Sequence, residues 1–255
     1  MDLLISDVTK QRLGQAKRVV ALTGAGISAA SGIPTFRGEN GLWTKLAPQE
    51  LASFEGFYRN TAVVSEWYKH RRDIIEVCQP NAAHTTLVEL EKLVAEFTLI
   101  TQNIDGLHQR AGSQDVIELH GTIMQNYCTR CNRQYSVAEF DQIYNRSSNH
   151  VPRCFCGGIV RPNVVWFGES LPVAAYERAY KASMQAEVFL AIGTSAQVRP
   201  AADLPMIAKE QGAYLIEINI VKTVLTPHAD LFLEGAADKI LPQFNREYQS
   251  LLANV

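Results

Sequence analysis

A chain of 255 residues, 47% hydrophobic and 20% charged, is long enough for one large α/β domain or a main domain with a satellite, and its composition excludes widespread disorder. A formal net charge of -2 argues against a strongly basic nucleic-acid-binding surface, and no apolar run reaches the roughly 18–20 residues that a membrane-spanning helix needs. Charged residues interrupt the first 18 positions before any apolar signal core develops, so a cytoplasmic protein without nucleic-acid or membrane partners is expected, with no transit-like leader.

Residues 18–23 are apolar and β-rich and lead straight into Gly24-Ala25-Gly26-Ile27-Ser28, with Gly32 and Pro34 following. This order predicts a strand, a glycine turn and the start of a helix. Residues 97–101, 116–119, 187–192 and 213–219 are further buried-strand candidates, each short, rich in β-branched or aromatic residues, and bounded by turn residues. Helical composition with apolar spacing covers residues 81–96, 172–185 and 201–211. Strands alternating with helices predict a parallel sheet covered on both faces. Two stretches break the rhythm: residues 39–80 are mostly helical in pattern, and residues 121–162 carry polar loops and four cysteines. The resulting organisation is a parallel-sheet domain from residues 1–38, 81–120 and 163–255, with a helical module (39–80) and a cysteine-bearing module (121–162) forming a smaller lobe.

Four motifs carry chemistry. The Gly24-x-Gly26 turn suits close approach of backbone amides to a diphosphate, or is simply a tight turn; its spacing is not that of a dehydrogenase, and no clean acidic residue closes a second strand about 20 residues on. Of five cysteines, Cys128, Cys131, Cys154 and Cys156 fall in two close pairs. Four thiolates can close a structural zinc site with no position left for water, buried free thiols being the plainer alternative. The short Cys154-x-Cys156 spacing suggests tight geometry, and His150 is a possible substitute ligand. Cys78 reads as a packed core thiol. Gln102-Asn103-Ile104-Asp105 ends a strand, where open α/β sheets bind ligands; the cluster could hold a carboxamide, or Asp105 could merely cap a helix. His120, one of six histidines, also follows a strand and is the best placed for a general base, although a structural role is open to any histidine.

Taken with Val164-Val165-Trp166-Phe167-Gly168-Glu169 and Gly193-Thr194-Ser195, these motifs resemble the sirtuin family from about Val19 to about Leu241. The resemblance implies a Rossmann-like sheet with a small lobe built from a zinc module and a helical module. It implies NAD as co-substrate and one structural zinc ion. By similarity, Gly24, Ala25, Gly26 and Ser28 cradle the diphosphate, Phe36 and Arg37 belong to a mobile cofactor-binding loop, and Gln102, Asn103, Ile104 and Asp105 line the ribose and nicotinamide pocket. Gly193, Thr194, Ser195 and Asn219 then meet the adenosine half, with Ala237 near adenine. Residues 220–222, Ile-Val-Lys, lack the acidic residue often found there, which bears on the adenosine-ribose contacts.

The implied activity is deacylation of acylated lysine side chains of proteins. The acyl oxygen attacks C1′ of the nicotinamide ribose, nicotinamide leaves, and an alkylimidate forms. His120 is the base for the ribose hydroxyl that attacks it, with Asn103 as its catalytic companion, and water finally releases lysine and O-acyl-ADP-ribose. Val165, Phe167 and Glu169 guide a substrate peptide added as a strand between the lobes. Tyr68 and Arg71, three apart on a helix, resemble the acid receptor of family members that remove malonyl, succinyl or glutaryl groups, and Ala52 matches the small residue that leaves room for the longer chain. A solvated Arg71 paired with Asp73 or Glu66 is the plain alternative for that arginine. Rival functions are protein mono-ADP-ribosyl transfer and a catalytically silent NAD or ADP-ribose sensor.

Overall fold

The computed structural model describes residues 5–36 and 48–253. Along the chain run α1 (Asp7–Gln15), β1 (Arg18–Thr23), a 3₁₀ helix (Ala25–Ser31), α2 (Pro48–Leu51), α3 (Phe54–Arg59), α4 (Thr61–Val77), α5 (Ala82–Leu93), β2 (Glu96–Thr101), α6 (Leu107–Ala111) and β3 (Val116–Glu118). The cysteine-bearing stretch follows with β4 (Gly121–Cys128), β5 (Gln134–Tyr135), α7 (Val137–Arg146) and β6 (Val160–Val164). The chain then returns through α8 (Val173–Gln185), β7 (Val188–Ile192), α9 (Leu204–Glu210), β8 (Tyr214–Asn219), β9 (Leu231–Glu234) and α10 (Ala237–Ala253).

Six of the strands form one sheet in the order β3-β2-β1-β7-β8-β9, and every adjacent pair is parallel. Its strands are near-continuous apolar runs because both faces are covered. Along β1, Val19 and Ala21 enter a core shared with Leu87, Leu90, Leu241 and Phe244, whereas Val20 and Leu22 enter the opposite core with Ala179, Leu204 and Ala208. One strand therefore buries alternate side chains against α5 and α10 on one face and against α8 and α9 on the other. The chain leaves β1 toward β2 on one side and later returns beside it as β7, which places the topological switch point between β1 and β7.

The five expected strand regions are all present. Residues 201–211 divide into a 3₁₀ turn and α9, and the helix expected over 81–96 stops at Leu93, because residues 94–96 already lead into β2. The segment after Gly24 is a 3₁₀ helix rather than an α-helix; it is only seven residues long, and Gly32 ends it in the left-handed conformation. A second sheet, β5-β4-β6, is antiparallel and packs α7 over the cysteine-bearing stretch.

Candidate active site

The carboxyl ends of β1, β2, β7 and β8 open into a cavity of about 1430 Å³ that reaches across to α4 and to residues 164–169. Its floor is two glycine turns in contact. A Cβ on Gly26 would lie 2.8 Å from Cα and O of Gly193, and Gly193 itself has φ +59 with Ile27 N 2.6 Å from its Cβ position. Neither site has room for a side chain, so the close approach of the two turns requires glycine at both. Gly24, Ala25, Gly26, Thr194, Ser195 and Asn219 line this part of the cavity, with Ala237 at its far end. Asn219 Nδ2 donates to the Thr194 carbonyl at 2.9 Å and locks β8 to the β7 turn. These turns leave backbone amides at a switch-point crevice, the setting in which α/β sheets hold a dinucleotide.

At the end of β2, the Gln102 side chain donates to Thr194 Oγ1 (2.9 Å), and its backbone carbonyl lies 2.9 Å from His120 Nδ1. A carbonyl can only accept, so Nδ1 carries the ring proton and Nε2 keeps its lone pair. Burial holds the His120 pKa below the ordinary histidine range, and the bond to Gln102 offsets this in part. The ring is therefore neutral at pH 7, as a base must be. Asn103 lines the cavity and donates to Gly24 O (3.1 Å) and Ser28 Oγ (3.3 Å), which fixes its amide against the first turn.

Ser28 and Asp105, expected beside the diphosphate and in the ribose and nicotinamide pocket, lie behind the residues that line the cavity. Both sit one layer deeper, 1% and 4% exposed. The Asp105 carboxyl accepts from Ser28 Oγ (2.8 Å) and from Leu107 N (2.9 Å), so it caps α6 and props Asn103 from behind through Ser28. Burial raises its pKa, against the pull of these hydrogen bonds and of Arg71 and Arg110. Ile104 and Phe36 line the cavity, while Arg37 lies outside the described residues.

The opposite wall comes from the small lobe. Tyr68 and Arg71 of α4 both face the cavity and are only 5% and 7% exposed. Arg71 does not pair with Asp73 or Glu66; Asp73 is taken by Lys69 at 2.9 Å. Instead the Arg71 guanidinium lies over the Phe36 ring (4.4 Å) and near Trp67 (5.7 Å), and its buried Nε has no hydrogen-bond partner among the described residues. Burial lowers its pKa to about 10, while Tyr68 and Asp105 raise it, so it remains charged at neutral pH. Burial likewise keeps the Tyr68 phenol protonated.

Residues 164–169 bridge the two lobes. Val165 N donates to the His120 carbonyl (2.9 Å), and Phe167 N donates to the Ala52 carbonyl (2.8 Å), so Val165, Phe167 and Ala52 stand together along the cavity edge. Glu169 also borders the cavity, yet its carboxylate is already engaged: Arg161 binds both oxygens at 2.6 and 3.0 Å, and Trp166 N donates to it at 2.7 Å. Those bonds use the Glu169 carboxylate to shape the loop.

Cys128, Cys131, Cys154 and Cys156 bring their four sulfurs within 4.8 Å of one another. Zinc bound tetrahedrally at about 2.3 Å sets sulfurs about 3.8 Å apart. Cys128–Cys156 at 3.5 Å and Cys131–Cys154 at 3.7 Å fit that spacing, so the short Cys154-x-Cys156 pair is compatible with the metal. His150 is not part of the group; its ring lies against Tyr144 at 5.1 Å. Cys78 packs against the small-lobe core, as expected, and donates to Ile74 O.

Several cavity residues were not evident beforehand, including Ala29, Trp67, Trp166, Gln197 and Arg199. Trp67 and Trp166 adjoin residues already singled out, and Gln197 and Arg199 follow the Gly193 turn; nearness in sequence is the signal that could have found them.

A nucleotide-binding crevice with a neutral histidine, facing a lobe stapled by four cysteines, defines a class of NAD-using α/β enzyme. Comparison with known families matches residues 24–200 to the Sir2 family. The NAD-dependent protein deacylase of Aquifex aeolicus (strain VF5) is 52% identical over 86% of this chain and 90% of its own. That of Pyrococcus furiosus is 46% identical over 97% of this chain and 99% of its own. Among solved structures, a Sir2 homologue–NAD complex superposes with a TM-score of 0.89 at 42% identity, covering 98% of this chain and 96% of that one. A Sir2–p53 peptide–NAD+ structure gives 0.87 at 34% identity, covering 97% and 100%. The chain belongs to the Sir2 family.

Proposed function

We propose that this NAD-dependent protein deacylase of the Sir2 family acts preferentially on lysines carrying short acidic acyl groups, such as malonyl, succinyl or glutaryl, and transfers the acyl group to ADP-ribose. The observation that carries the preference is Arg71. A guanidinium so deeply buried, without a carboxylate partner among the described residues and beside a protonated phenol, suits a carboxylate brought by the substrate. Ala52 is small where the acyl chain would pass.

NAD supplies the electrophilic ribose carbon and the hydroxyl that finally carries the acyl group. The glycine turns at Gly24–Gly26 and Gly193 would hold its diphosphate, and Asn103 its nicotinamide side. Val165 and Phe167 would flank the lysine stem, keeping water from the acyl oxygen. His120 Nε2, its Nδ1 proton pinned to Gln102 O, would take the proton from the ribose hydroxyl as that oxygen bonds to the acyl carbon. The test is deacylation of one peptide bearing acetyl-, malonyl-, succinyl- or glutaryl-lysine in turn, with product masses recorded. Higher kcat/KM on the acidic acyl groups, with O-acyl-ADP-ribose formed, supports the proposal. Acetyl preference would remove the acyl-pocket reading, and nicotinamide release without deacylation would remove the transfer itself.

A further inference from the structure

The Tyr68 hydroxyl accepts a hydrogen bond from Trp166 Nε1 at 2.8 Å. An indole N–H can only donate, and so can the neighbouring Arg71 guanidinium. Neither can take the phenolic proton, and among the described residues no other acceptor does. Burial keeps that proton on the oxygen. A buried hydroxyl whose acceptor side is filled by a fixed donor leaves its own hydrogen for whatever enters the cavity.

Trp166 is itself held from three sides. It is 2% exposed, with the Arg161 guanidinium 3.2 Å from its ring centroid and the Phe57 ring at 4.9 Å. Arg161, 1% exposed, is anchored by both Glu169 oxygens and by the Val164 carbonyl, and Glu169 also takes the Trp166 backbone N–H. The indole N–H therefore points at Tyr68 from a rigid mount.

We infer that Trp166 is a positioning residue: its indole N–H fixes the direction of the Tyr68 hydroxyl proton, so that the phenol meets a bound acyl group only as a donor, which selects acyl chains ending in a carboxylate. The inference rests on the acid-receptor reading of Tyr68 and Arg71. An ester, amide or hydroxyl terminus can also accept from Tyr68 and Arg71, but only a carboxylate does so while neutralising the buried Arg71 charge.

The test compares Trp166→Phe, which keeps an aromatic ring for Arg161 and Phe57 while removing the N–H, with Tyr68→Phe, the double variant and Arg71→Met, each on succinyl- and acetyl-lysine peptides. Trp166→Phe should lower the succinyl-to-acetyl ratio of kcat/KM roughly five- to tenfold, mainly through KM on the succinyl peptide. The double variant should have nearly the ratio of Tyr68→Phe alone, because both changes remove the same oriented donor. A ratio unchanged in Trp166→Phe but lowered in Arg71→Met would overturn the inference and leave the acid receptor standing. No change in Arg71→Met would overturn both. Equal loss on both peptides in Trp166→Phe would reduce Trp166 to packing. If Trp166→Phe does not fold, Trp166→Leu, which also removes the N–H, takes its place in the same comparison, and the same two outcomes support or overturn the inference.

Discussion

His120 shows how much of a residue's chemistry is set by one neighbour. Its bond to Gln102 O fixes the tautomer, and burial holds its pKa below the ordinary value. As a general base it works in the neutral form, so activity is lost as pH falls through its folded pKa. The acidic limb of kcat/KM should therefore lie below about pH 6.5, the unperturbed histidine value; a limb above it would argue against this assignment. His120→Ala should lower kcat by about a hundredfold or more while calorimetry shows NAD affinity retained. Near-normal turnover would remove His120 from the reaction. The bond between Ser28 and Asp105 was not readable at this scale, since it joins side chains 77 residues apart. That Tyr68 and Arg71 share one face was readable from their three-residue spacing on a helix, and both line the cavity.

Among elements, the cysteine-bearing sheet has the least to hold it. Its core is little more than Cys128, Tyr135, Phe140, Tyr144, Cys154 and Val160. Zinc binding to such a module is coupled to its folding, worth about 10 kcal/mol or more in small zinc domains. Yet β6 from this sheet runs straight into residues 164–169, which carry the substrate edge of the cavity. Stripping zinc with a chelator, with loss confirmed by elemental analysis, should lower the melting temperature and raise the KM for the peptide more than that for NAD. A metal-free protein with the same melting temperature and peptide KM would show that packing alone holds the lobe. The cysteine spacing announced this module, and its sulfur geometry agrees. The element types also followed from the sequence where apolar runs were long, whereas the 3₁₀ helix after Gly24 did not, because a seven-residue segment of mostly small residues carries little periodic signal.

For the whole molecule, stability should depend on acid through two histidines buried between α5, α6 and the β1 turn. His84 and His108 have rings 4.9 Å apart, and burial holds their pKa values near 4 and 3 respectively, with His84 further lowering that of His108. Because both folded values lie below the unfolded one of about 6.5, their contribution is full above about pH 6.5 and is lost as pH falls toward 4 and then 3, on the order of 3 kcal/mol from His84 alone. Asp105, whose pKa burial raises, works in the opposite direction and offsets part of this. Urea unfolding at pH 7 and pH 5 should show a lower midpoint at pH 5, and a flat profile would count against neutral burial of the pair. By itself the sequence determined the parallel sheet, the two-lobed order, the metal-binding cysteines and the family, because apolar periodicity, turn residues and ligand spacing are local properties of the chain. Only the tertiary structure decided that Gly26 must meet Gly193, that Ser28 donates to Asp105, and that Trp166 aims at Tyr68. Those contacts join residues far apart in the chain, and their energies depend on burial that no local pattern encodes.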